Sequence, residues 1–137
     1  METVKQATIK NTRQLLDTNK ESATVTTLGE ILAITAGYAV AADNGTVAAD
    51  LLGVCNQTIA AADALTRVSY IVPSDEDTYI FDVTNNSNAT HNGQAMVLTN
   101  ATTVNNTGTT SATGIVQQVE PYGAAASKKI IGRFLTL

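Results

Sequence analysis

Tryptophan is absent from this 137-residue chain, and cysteine and histidine occur once each, at Cys55 and His91. A lone cysteine excludes an intrachain disulfide and any thiolate metal cluster. A catalytic thiol needs a base, and the one histidine lies in the polar run Asn85–Gly93, whose composition is that of a loop. Cys55 instead follows Leu51-Leu-Gly-Val54 and reads as a small buried hydrophobe. No Gly-x-Ser-x-Gly, phosphate-loop or His-Glu-x-x-His motif occurs. With no Trp, two Phe and four Tyr, the chain also lacks the aromatic walls that would hold a sugar between paired carboxylates. The one acidic cluster, Asp75-Glu76-Asp77 with Asp82 nearby, has neither the central glycine nor the terminal glutamate of a Ca²⁺ loop. It reads as a solvated turn, with weak Ca²⁺ binding as the alternative. An enzyme is not expected, and no residue stands out as a catalytic, cofactor or metal ligand.

Long apolar runs are missing as well. The longest such stretch, Ile31 to Ala42, is broken by Thr35 and Gly37 and is too short to span a bilayer. No charged segment leading into an apolar one is visible, so neither export nor membrane association is expected. Basic residues are confined to the ends: Lys5, Lys10, Arg13 and Lys20 at one, Lys128, Lys129 and Arg133 at the other, with Arg67 alone between. A net charge of −4 with an acidic body excludes the basic footprint of a nucleic-acid binder. Asn-x-Ser/Thr triplets begin at Asn44, Asn56, Asn85, Asn88, Asn100 and Asn105. In a chain this rich in Asn and Thr they arise by chance and are not read as glycosylation sites.

What is present is a series of short β-rich runs. Glu30–Ile34, Tyr38–Ala42, Thr46–Ala48, Leu65–Val72, Tyr79–Val83, Ala95–Thr99, Thr113–Val119 and Lys128–Leu137 are the expected strands. Asp43-Asn-Gly45 is a tight-turn signal, and Pro73 ends the strand before it. Ala60–Ala64 is a connection or a single helical turn. The polar tips Asn85–Gly93 and Asn100–Ser111 are solvated connections. About eight short strands at this spacing predict a mainly β fold, a small barrel or sandwich over 28–137. Apolar residues make up 44% of the chain, but much of that is Ala. The core is therefore thin, and assembly with copies or partners is the expected source of further stability.

Residues 1–27 are polar, without sustained periodicity, and read as an extended N-terminal arm. Such arms are commonly disordered until bound; the functional reading is a strap that adds a strand to a neighbour's exposed sheet edge. Asn11–Asp17 has the pattern of a single helical turn capped by Asn11.

Taken in order, the polar arm, Gly37-Tyr-Ala-Val40, Asp43-Asn-Gly-Thr-Val47, Leu51-Leu-Gly-Val54, the β-meander and the closing Lys128-Lys-Ile-Ile-Gly-Arg-Phe134 resemble the small head-decoration, or capsid-cementing, proteins of tailed bacteriophages. The likeness runs from about Thr27 to the C-terminus. It implies a virion protein on the outer surface of an expanded icosahedral shell, assembled in the host cytoplasm, that self-associates (a trimer is favoured) and binds the major capsid protein. The arm then carries the docking residues, with Val4, Ile9, Leu15 and Leu16 as apolar anchors and Lys5, Lys10 and Arg13 as charge partners. No cofactor is implied. The alternatives are another phage component, such as a head-fibre base or tail protein, and a secreted adhesin or carbohydrate-binding module.

Overall fold

The computed structural model describes residues 4–5, 15–19, 27–59, 67–74, 76–107, 113–124 and 127–135. Among them the chain forms twelve strands: β1 (Val4–Lys5), β2 (Leu15–Asn19), β3 (Ile31–Thr35), β4 (Tyr38–Ala41), β5 (Leu51–Cys55), β6 (Arg67–Ile71), β7 (Tyr79–Val83), β8 (Ala95–Met96), β9 (Leu98–Asn100), β10 (Thr103–Val104), β11 (Val116–Pro121) and β12 (Lys129–Phe134). The fold is mainly β, and its strands divide between two sheets.

The seven-stranded sheet runs β8-β11-β12-β7-β10-β9, with β1 also on β7. Its two ends are almost one strand, because only Val97 separates β8 from β9. Met96 pairs with Val116 of β11, whereas Leu98 pairs with Val104 of β10. Residues 95–100 thus pair with β11 through their first half and with β10 through their second. That bend at Val97 nearly closes the sheet into a small barrel. Closure removes sheet edges that would otherwise stay unpaired. One gap remains: β10 covers β7 only at Asp82 and Val83, and β1 pairs with β7 at Tyr79 and Ile80.

The second sheet, five-stranded and antiparallel throughout, runs β2-β6-β5-β3-β4 as a half-barrel against the first. Alternation along its strands serves two cores. Leu32 of β3 and Cys55 of β5 join Ala39, Ile59, Val68 and Tyr70 on one face. Their neighbours Ile31, Ala33 and Val54 point the other way, into the barrel core. A strand buried on both faces loses the simple apolar-polar alternation, as Ile31-Leu32-Ala33 shows.

The barrel core compensates for the scarcity of aromatics by concentrating them. Phe134 packs edge-on to both Tyr79 and Phe81, with centroids 5.3 Å apart in each pair. Such contacts add about 0.5–1.5 kcal/mol each beyond area burial. Around them lie Met96, Leu98, Val104, Ile115, Val116 and Ile130, all buried. Cys55 is 1% exposed, as its apolar neighbours suggested.

Several local expectations are corrected. Thr46–Ala48 is not a return strand. Thr46 closes the turn instead, its N–H donating to the Asp43 carbonyl at 3.2 Å and its Oγ1 accepting from the Asp43 N–H at 3.0 Å. A 3-10 turn, Ala48–Asp50, then leads into β5. The β3–β4 hairpin turns at Ala36-Gly37, both at positive φ (51° and 84°). Leu15–Asp17 belong to β2 rather than to a helical turn, while 11–14 lie outside the described residues, as does Ala60–Ala64. The tip Asn100–Ser111 contains β10. The acidic turn is not wholly solvated, since Asp77 is 3% exposed and its Oδ2 accepts from the Ser74 N–H.

Candidate docking site

Both arm strands pair with the body, and each takes a different sheet. β6 meets β5 only at Ile71 and Tyr70, whereas β2 pairs along all five of its residues, from Leu15 opposite Ile71 to Asn19 opposite Arg67. β2 is thus the outer strand that covers the long edge of β6. β1 makes the shorter ladder, Val4 opposite Ile80 and Lys5 opposite Tyr79. Of the arm residues named as docking candidates, Val4, Lys5, Leu15 and Leu16 therefore lie on backbone ladders at sheet edges. Ile9, Lys10 and Arg13 lie outside the described residues.

The two ladders differ in strength. At about 0.5–1.5 kcal/mol net per hydrogen bond, a two-residue pairing is easily released and a five-residue one is not. Edges of this kind are templates for another strand. An arm that already completes edges in its own body has the backbone chemistry to complete them elsewhere.

The Asn/Thr-rich tips owe their composition to turn chemistry. Asn88, Asn100 and Asn105 each accept, through Oδ1, the N–H of the Thr two residues on, all at 2.9 Å. An Asx turn satisfies a backbone donor locally and requires the Asn, whereas any residue with a backbone N–H can stand two positions on. Asn106, 2% exposed, ties two tips together: its Oδ1 accepts from the Asn85 N–H at 2.8 Å and its Nδ2 donates to the Asn85 carbonyl at 2.9 Å. These triplets stabilise loops, a role their sequence pattern alone did not separate from chance.

The remaining chemistry-bearing groups do not converge. Cys55 sits in the half-barrel core with its Sγ–H donating to the Gln57 carbonyl, while His91 ends the 3-10 turn Ala89–His91 beside β11. Asp82 is paired with Lys129 at 2.7 Å. Among the described residues no three His, Cys, Asp or Glu side chains gather to hold a metal ion, and no helix is long and apolar enough to cross a membrane.

The outer wall of the barrel carries a shallow concavity, which the sequence did not single out. It has a volume of about 410 Å³ and lies between β11, β12 and the loops at Glu76 and Gly93. Gln117 and Arg133 are register partners on its floor. Arg133 Nε donates to Gln117 Oε1 at 2.7 Å, and Gln117 Nε2 donates to the Gly93 carbonyl at 2.9 Å. Beneath them Gln118, 1% exposed, donates from Nε2 to the Asn88 carbonyl and Asn92 Oδ1, which pins the loop rim to β11. No family model matches the chain, and no curated protein matches it in sequence.

Proposed function

We propose that this protein is a non-enzymatic structural component of a virion that binds the outer surface of a phage capsid and cements the expanded shell. The observation that carries this reading is the arm: two strands from 1–27 complete edges on two different sheets of one β body. Together with the resemblance in the order of turns and small apolar runs, this favours a strap that reaches the major capsid protein. β1 is the part released to it, because its two-residue ladder costs little to exchange. β2 stays with β6 and anchors the strap to the body.

Each copy then bridges neighbouring capsid subunits, and many modest contacts sum through avidity against internal pressure. Self-association, as a trimer, multiplies the effect. The test is to mix the purified protein with decoration-free expanded heads, sediment them, and count bound copies per capsid subunit. Saturation at a simple ratio supports cementing. Failure to co-sediment at any concentration overturns it in favour of a tail or fibre-base component.

A further inference from the structure

Arg133 is the group the capsid-docking arm leaves unexplained. It lies on the outward face of β12, four residues from Lys129 and therefore on the same side of the strand. Lys129 is neutralised there by Asp82 at 2.7 Å. Arg133 bonds to no carboxylate among the described residues; its partner is the neutral Gln117 amide, through Nε alone. Gln117 is in turn fixed by the Gly93 carbonyl, so both ends of its amide are committed. This one bond restrains the guanidinium, and the N–H groups of both terminal nitrogens bond to no described protein group. A planar fork of donors restrained this way matches a carboxylate bidentately and has less ordering entropy left to lose.

The surroundings set apolar contact beside the Arg133 cation. Val119, 42% exposed, lies at the rim of the same 410 Å³ concavity and offers apolar contact beside the charge. Arg133 is the one cation lining the concavity, and on a chain of net charge −4 it does not provide the basic track that nucleic acid requires. Glu76 also lines the concavity, yet forms no bond to Arg133; its N–H is held by Ser74 Oγ at 3.2 Å. An incoming carboxylate meets Glu76 as a like charge.

We propose that this concavity recognises an Asp or Glu side chain of a partner protein, with Arg133 as the anchor and Glu76 as a charge that weakens binding. No residue of β1 or β2 lines this concavity, and its test uses no capsid. The probe is an N-acetylated, C-amidated Leu-Glu-Leu peptide, followed by NMR on the full chain, with the Leu-Gln-Leu peptide and inorganic phosphate as comparisons. Saturable shifts at the Arg133 Nε–H and the Gly93 and Val119 amides are expected with the Glu peptide only. Arg133→Gln should abolish them, Arg133→Lys weaken binding roughly five-fold or more, and Glu76→Gln tighten it roughly two- to five-fold. The Arg133→Lys and Glu76→Gln variants keep the test decisive should Arg133→Gln fail to fold. Equal shifts from the Gln peptide or from phosphate, or no shifts from any probe, would overturn the proposal, as would weaker binding by Glu76→Gln.

Discussion

Gly53 is where the half-barrel is least able to accept a change. It lies in β5 opposite Leu32 of β3, with β6 on its other side. A Cβ built there falls 2.2 Å from the Ile71 carbonyl oxygen, 3.0 Å from the Ile71 carbonyl carbon and 3.3 Å from Tyr70 Cδ2. The nearest atom is backbone, so no rotamer change relieves the clash. The strands must part by roughly 1 Å, an overpacking cost of about 1–3 kcal/mol. The pairings that suffer are Val54 with Ile71 and Cys55 with Tyr70, at about 1 kcal/mol for each bond lost. Gly53→Ala should therefore destabilise by about 3–5 kcal/mol and lower the melting temperature by roughly 10–20 °C. Circular dichroism melts and urea unfolding measure both. Gly93→Ala is the control: it has open space within 4 Å and carries only the strain of φ +84°, about 1–2 kcal/mol. If Gly53→Ala melts no lower than Gly93→Ala, the close approach of β5 to β6 is refuted, and with it the position of the edge that β2 covers.

Further outcomes follow from the same geometry. Ala36 takes φ 51° in the β3–β4 turn, so Ala36→Asn should raise stability by about 0.5–1 kcal/mol, read as a higher urea midpoint with unchanged slope. Phe134→Ala removes the ring on which Tyr79 and Phe81 converge and should cost about 3–5 kcal/mol in the same assay. Asn106→Ala unties the two polar tips at about 1–3 kcal/mol, with faster amide exchange at Asn85 as its local signature.

The strands most legible in the sequence are those with one buried face. Tyr79–Val83 alternates buried and half-buried residues along its whole length, and its bounds are those expected. Leu65–Val72 contains β6, and Pro73 follows it as expected. The body's β class was legible for that reason. Less legible were features set by tertiary context. Thr103–Val104 is a strand only because β7 and β9 flank it, and nothing in its Asn- and Thr-rich surroundings sets it apart. The bend at Val97, which brings the barrel near to closure, leaves no mark in a run that reads as one strand. β1 and β2 carry no periodicity of their own; they are strands because edges of β7 and β6 are there to be paired. The Arg133 concavity joins β11, β12 and two loops distant in sequence, and a lone arginine in a closing strand gives no hint of it.

The most direct test concerns β1. A chain lacking residues 1–14 keeps the β2–β6 ladder, so its body should melt within a few degrees of the full chain. Its occupancy on decoration-free expanded heads is the measurement, counted beside that of the intact protein. Arm docking requires that occupancy fall to background while the body stays folded. Full occupancy at unchanged affinity, on a folded truncated chain, would contradict it.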